Sequence, residues 1–513
     1  MTANSSAPDT ILPVAEESPN SQSSAGKQVA KFLDSVNNGD DNRIFTFEEE
    51  KRVLRRIDMR VLPLLLGAYF FQQLDKSCLS YVSIFGLVED THLVGQQYSW
   101  LGSILYLAQL VMQPLAAVLL VKAPTGKVIG TAVFLWGSAL TITAACTEFK
   151  SLLAMRFILG AFESMIAPSC IAVTQMWWRR SEQTLRAALW NGMNGLTFII
   201  GSLFTYGLGH IQSDTLYSYQ IIFMFCGLLT VVYSAFVLLL MPDSPMEAKC
   251  LSDREKFIAV QRLRANQMGI VSRQWRWDHH YQRIPSGGIS SFGSLIVKSF
   301  GYTSFQSILF NLPFGAIQIV AIIGGGWVAT RFKTKGLVIV FFAILPAIGT
   351  IIMLVTPRDN KGVLLFGYYL VSTMAAITPL IYTWEAQNTA GDTKRKCTSG
   401  IVLVIGPQLY SPSQAPEYRP GLIANLIMFV VVAIFAILMD LYLVFLNKKH
   451  SRQREALGKS AVIVDESMMT KHKIETNKAV ELEDVNEIRD QSVTDNGFSD
   501  MTDLQNEDFI YVY

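Results

Sequence analysis

The chain has 513 residues, of which 50% are hydrophobic and only 16% charged, with a formal net charge of +2. Soluble domains carry about 25% charged residues, whereas here the apolar residues gather into long runs parted by short basic loops, the pattern of a chain that crosses a bilayer. A water-soluble globular protein is excluded, and a near balance of 43 Lys and Arg against 41 Asp and Glu gives no reason to expect nucleic acid as a partner.

Residues 1–50 are polar, rich in Ser and Asn, and lack the apolar core behind a basic start that marks a cleaved leader, so they are expected to form a disordered cytoplasmic tail. A basic stretch follows (Lys51, Arg52, Arg55, Arg56, Arg60), and then six apolar runs at 61–86, 98–121, 128–146, 151–177, 187–209 and 217–241. Each reaches the roughly 20 residues that span the hydrocarbon core. A polar and basic stretch, 243–283, interrupts the pattern before further runs at 304–329, 336–356, 362–384 and 420–446. Two other stretches are apolar but short: 284–300, which carries Lys298, and 398–410. Lys and Arg collect in cytoplasmic loops. Here they recur after every second run, at Lys122 and Lys127, at Arg179, Arg180 and Arg186, at Arg331, Lys333 and Lys335, at Lys394, Arg395 and Lys396, and at Lys448 and Lys449. An even number of crossings must separate basic loops, so 284–300 and 398–410 are expected to cross as well. The result is twelve crossings with both termini cytoplasmic: a first six-helix bundle over 51–242, a central loop over 243–283, a second bundle over 284–449 and a polar tail over 450–513.

Charges inside a span cost several kcal/mol, so they face a cavity or a partner. The fourth span carries Arg156 and Glu163, seven residues apart and therefore on one helix face, about 10 Å apart along the axis. A guanidinium is always charged and matches a carboxylate, while a buried Glu can hold a proton near neutral pH. The pair reads as an anion site beside a proton site, or as a structural tie between spans. The first span carries Asp75 and Lys76 behind Gln72 and Gln73, to be read as substrate contacts or as a structural ion pair. Asn191 and Asn194 on the fifth span are candidates to line a cavity, and that span's glycines read as close helix packing. In the second half Asn311 and Gln318 share a face of the eighth span, and Tyr368 and Tyr369 sit on the tenth. These are hydrogen-bonding candidates for a substrate, or interhelical bonds. The six cysteines are scattered without metal-ligand spacing and read as small apolar residues. No cofactor, metal cluster or nucleophile–base constellation stands out, so an enzyme is not expected.

Several strings resemble one family. LDKSCLSY closes the core of the first span, RFILGAFESMIAP forms the fourth, and MWWRRSEQTLRAALWNGMNG follows it. MPDSP ends the sixth span, WEAQNTAGDTKRKCTSG follows the tenth, and TDLQNEDFIYVY lies at the far end. Together they are similar to the fungal anion:cation symporters of the major facilitator superfamily, and most of all to its allantoate permease-like subgroup. The resemblance covers about 43–449 and the last fifteen residues. It implies an all-α fold of nominally twelve helices in two six-helix bundles, in a monomer probing both sides of the bilayer by alternating access. It implies proton-coupled uptake of a small organic anion, such as allantoate, ureidosuccinate or a vitamin-like carboxylate, at the plasma membrane. By motif match, Arg156 and Lys76 are expected to bind substrate and Glu163 and Asp75 to couple protons; the polar residues Asn191, Asn194, Gln318 and Tyr368 are expected to add substrate contacts, and Lys122, Gly126 and Lys127 to form a gating loop. The departures are Lys76 in place of Arg, a gating loop without the family's acidic residue, and seventh and eleventh spans shorter than usual. An exporter of the same fold and a non-transporting sensor are the rival readings.

Overall fold

A computed structural model describes residues 46–264 (without 212 and 213), 266, 303–388 (without 358), 419–456 and 509–512. The short candidate crossings at 284–300 and 398–410, and the basic residues within them, lie outside the described residues.

The described secondary structure is helical. An amphipathic α1 (Phe47–Arg60) starts at Thr46, whose hydroxyl accepts from the Glu49 amide while the Glu49 carboxylate accepts from the Thr46 amide, a capping box. The chain then passes into α2 (Leu62–Val82), a short α3 (Leu87–Asp90), α4 (Gln97–Lys122), α5 (Thr125–Thr143), α6 (Phe149–Glu163), α7 (Ile166–Trp177), α8 (Arg180–Leu208) and α9 (Ser218–Leu240). A polar helix α10 (Asp253–Arg264) packs against α1. The second half contributes α11 (Ser304–Leu309), α12 (Asn311–Phe332), α13 (Gly336–Val355), α14 (Lys361–Ser372), a 3-10 turn at Thr373–Ala376, α15 (Ile377–Gln387) and α16 (Arg419–Ala456).

Eight of the described helical stretches are long and apolar enough to cross a membrane. The first and fifth predicted crossings, α2 and α8, have the length but are more polar. They carry Gln72, Gln73, Asp75 and Lys76 on one and Asn191 and Asn194 on the other.

Two crossings are broken at matching places. The fourth is interrupted at Ser164 and Met165, between α6 and α7, and the tenth at the 3-10 turn between α14 and α15. Each second segment has proline at its third position, Pro168 and Pro379. A proline nitrogen has no hydrogen to donate, and its ring crowds the carbonyl four residues earlier, here Ser164 and Ala375, so both helices must open there. The break puts Glu163 at the last turn of α6, in mid-membrane.

The two halves meet chiefly along α8 and α12. Gly195 and Gly315 lie backbone to backbone at this crossing, and a Cβ on Gly195 would meet the Ile319 Cγ1 at 2.6 Å. Small residues let helices come this close in lipid. At the end of the bundle that carries the basic loops, called the basic end below, α8 also packs on α15.

Candidate functional site

The first-half charges fall into two separate places. Glu163, fully buried, has its Oε2 3.8 Å from the Lys76 ammonium and 3.0 Å from the Gln109 amide of α4, which donates to it. The Gln72 amide donates to the Glu163 backbone carbonyl at 3.2 Å. Helices α2, α4 and α6 thus converge on one carboxylate, whose Oε1 is buried without a hydrogen-bond partner among the described residues. Arg156, two turns away on α6 and 2% exposed, makes no hydrogen bond or ion pair among the described residues; its guanidinium lies over the Phe223 ring at 5.4 Å, and its Nη2 is without a partner. A buried guanidinium left with donors unused is costly and is suited to receive a carboxylate.

Asp75 points elsewhere. Its carboxylate accepts from the Trp136 indole at 2.5 Å and from the Thr230 hydroxyl at 3.3 Å, tying α2 to α5 and α9. Neighbouring residues on a helix point about 100° apart, so Lys76 joins Glu163 while Asp75 enters the packed interior of the first bundle.

The remaining candidates are buried to different degrees. The Asn191 Oδ1 accepts from the Tyr69 hydroxyl at 3.1 Å and its amide donates to the Ala187 carbonyl, so its polar atoms are engaged within the first half. Asn194, one turn on, is half-buried. In the second half the Tyr368 ring stacks on Phe314 with centroids 4.7 Å apart, and Phe314 in turn meets Phe198 of α8 across the interface. The Tyr368 hydroxyl and the Gln318 Oε1 are buried without partners among the described residues, like the Arg156 Nη2. In the predicted gating loop Lys122 and Lys127 are exposed and Gly126 is buried. The acidic residue missing from that loop is supplied by another segment. Asp243, from the MPDSP string, accepts from the Gly126 amide at 2.9 Å and the Lys127 amide at 3.4 Å, placing a negative charge at the start of α5.

The string MWWRRSEQTLRAALW resolves into a polar hub whose role its motif likeness does not explain. The Trp178 indole and Arg186 both hold Asp58 of α1, at 2.7 Å each. Glu50 accepts from Arg179 and from Arg262, and Glu182 accepts from Arg262 at 2.6 Å. Arg180 reaches across to the second half: its Nη2 donates to the Gln387 carbonyl, and the Gln387 amide donates back to the Arg180 carbonyl at 2.7 Å. Trp190 stacks on Tyr382 of α15. The basic end is therefore closed between α7, α8 and α15. Of the polar tail expected over 450–513, the described residues up to Ala456 continue α16, with His450 and Arg454 buried, and Phe509 and Tyr511 are buried against this closure. The one signal of this last docking in the sequence is the family-like string at the far end of the chain. Among the described residues no group of three or more His, Cys, Asp and Glu is placed to hold a metal.

Comparison with known proteins agrees with this architecture. The Major Facilitator Superfamily profile matches residues 65–407. An uncharacterized transporter of Schizosaccharomyces pombe is 34% identical over 82% of this chain and 85% of its own length. Two Saccharomyces cerevisiae proteins, an allantoate permease and a thiamine pathway transporter, are each 29% identical over 91% of this chain and 87% of their own length. Among solved structures, a bacterial homologue of the human lysosomal transporter Spinster, in an inward-facing and occupied conformation, superposes with a TM-score of 0.53 at 12% identity, covering 74% of this chain and 96% of that one.

Proposed function

The chain belongs to the major facilitator superfamily, with its allantoate permease-like fungal members, and is an integral membrane transporter rather than an enzyme; from that premise we propose that it takes up a small organic carboxylate together with protons. The observation that carries this reading is the Arg156 guanidinium, buried within the fourth span with its Nη2 unpartnered among the described residues, two turns from a carboxylate that is itself only partly satisfied. An apolar or cationic substrate would leave that cation uncompensated, and an anion satisfies it.

The coupling follows from competition for Lys76. Ionised Glu163 holds the Lys76 ammonium at 3.8 Å. Once Glu163 takes a proton, Lys76 is released and stands with Arg156 as a positive site for a carboxylate. Proton and anion then bind in mutual support, and because their charges cancel the loaded site carries no more net charge than the empty one and is able to reorient. A ligand shifts the two-state equilibrium only through its different affinity for the two states, and here the proton provides the difference. Gln318 and Tyr368, with buried polar atoms unused, offer hydrogen bonds from the second half. Asn194 lines the approach, Asn191 positions Tyr69, and Asp75, bound by Trp136 and Thr230, supports the first bundle while remaining the second candidate for proton coupling. The basic end faces the cytoplasm, with Lys122, Gly126 and Lys127 at its rim. The carrier works as a monomer in the plasma membrane.

Similarity to an allantoate permease makes allantoate, ureidosuccinate and related carboxylates the first substrates to assay. Labelled allantoate uptake into cells lacking their own carrier, with and without a protonophore, tests the reading. Uptake that is abolished by the protonophore and by Arg156→Ala is expected. Uptake retained by Arg156→Ala, with the protein at the cell surface, would defeat it.

A further inference from the structure

In the segment Phe509–Val512 all but Ile510 are buried, yet it belongs to no helix. Buried backbone needs hydrogen-bond partners, and here they come from side chains of two helices. The Asn447 amide group donates to the Tyr511 carbonyl at 2.8 Å and accepts from the Tyr511 amide at 2.9 Å. Asn388 does the same for Val512, at 2.7 Å in both directions. The Trp384 indole donates to the Val512 carbonyl at 2.9 Å, and the His450 Nδ1 lies 3.0 Å from the Phe509 carbonyl. Two consecutive residues are thus gripped through their backbones by asparagines at the end of α15 and on α16, while the Phe509 and Tyr511 rings fill the apolar surface between those helices. Helix α16 can supply this grip because its 38 residues are about 57 Å long and outrun the hydrocarbon core.

All of these partners are in the second half. One further partner is in the first. The Arg180 Nη2 donates to the Ile510 carbonyl at 3.1 Å, and its guanidinium sits over the Phe509 ring at 5.0 Å. The same Nη2 donates to the Gln387 carbonyl, the bond that closes the basic end. Arg180 is therefore held by the second half's own helix and by a segment that the second half grips.

We propose that Phe509–Val512 is a strap, docked on α15 and α16, that locks the basic-end gate closed through Arg180. Opening this gate draws α8 away from α15, so Arg180 must leave Gln387, Ile510 and the Phe509 ring together. The strap has no such interactions to offer in the open state, so it stabilises the closed state selectively. It stays with the second half, to which its bonds with Trp384, Asn388, Asn447 and His450 run, and Arg180 is the contact that releases. Its consequence for uptake rests on the transport reading, whereas the strap itself does not.

The test is the reactivity of a cysteine placed at Ala386, which lines the crevice between α7, α8 and α15. The full chain carrying Ala386→Cys is purified into lipid nanodiscs, and its reaction with a maleimide is timed against the native-cysteine background. Phe509→Ala with Tyr511→Ala, and separately the milder Asn447→Ala, are each expected to speed the reaction at least about fivefold. A peptide of sequence 501–513, added in excess to the double variant, is expected to restore slow labelling, and a scrambled peptide is not. Unchanged labelling in both variants, or equal protection by the scrambled peptide, would overturn the strap. Because the readout uses neither substrate nor proton gradient, its failure is distinct from failure of the transport reading.

Discussion

Two polar regions of this molecule are built from the same residue types and treat them differently. At the basic end Glu50, Asp58 and Glu182 each meet a guanidinium, and Arg180 is held by backbone carbonyls from the opposite half. Within the fourth span Arg156 makes no hydrogen bond or ion pair, and Glu163 reaches only Lys76 and Gln109, with one carboxylate oxygen unused, among the described residues. The contrast separates charge that holds a structure from charge that awaits a ligand. Unused bonding capacity in a buried site calls for an explanation, and a ligand that binds in the working cycle supplies one.

That contrast can be broken most sharply at Arg156. If its unused donors serve a substrate, Arg156→Ala lowers carboxylate uptake at least about 100-fold, the loss expected when one partner of a buried charge pair is removed, while thermal stability measured on the purified protein stays level or rises. A fall in stability with uptake retained would move Arg156 into the structural class. Glu163→Gln keeps the shape and removes the charge. Proton-driven accumulation should drop about tenfold or more, while exchange of labelled for unlabelled substrate across proteoliposomes continues. Loss of both activities would show that Glu163 does more than carry the proton.

Smaller effects sharpen the comparison within the membrane and at its edge. Trp136→Phe removes the indole donor to Asp75 and is expected to cost about 1–3 kcal/mol of stability, read as a lower melting temperature, with the protonophore sensitivity of uptake unchanged. Altered sensitivity would make Asp75 a proton site. Glu50→Ala leaves Arg179 and Arg262 without their shared carboxylate and is expected to cost a similar amount or less, with transport affinity intact. The Glu49–Arg254 pair is the weakest case. The hydrogen bond from Arg254, joined by the Thr46 backbone, holds the Glu49 carboxyl down at about 2 from its ordinary 4.5. A lowered carboxylate contributes stability that is fully present above 4.5 and is lost as pH falls toward 2. Glu49 is at the surface, where such pairs count for little. Glu49→Ala should therefore leave the melting temperature at pH 7 almost unmoved, and any difference from the parent chain should vanish by about pH 2.

Much of this architecture is legible in the chain itself. Ten apolar runs suffice to place the ten described crossings, because the hydrocarbon core fixes their length and forces backbone bonds inward. The two breaks are also encoded, since Pro168 and Pro379 cannot complete a helix, although only the structure shows them at matching positions in the two halves. The placing of Arg156 and Glu163 on one face of a helix follows from spacing. Which of Asp75 and Lys76 meets Glu163 does not, because a turn of about 100° between neighbours becomes meaningful only once the surrounding helices are in place. Tertiary structure alone decides three other matters. Asp243 supplies the charge missing from the loop before α5, 116 residues away from Lys127. Gln109 completes the Glu163 site from a helix whose sequence reads as plain apolar. Ile510 accepts from Arg180, 330 positions earlier in the chain, because two asparagines on separate elements hold the two residues that follow it. Local physics, repeated along the chain, sets the spans and their breaks; the pairings between distant residues depend on how the helices pack, and no local pattern carries that information.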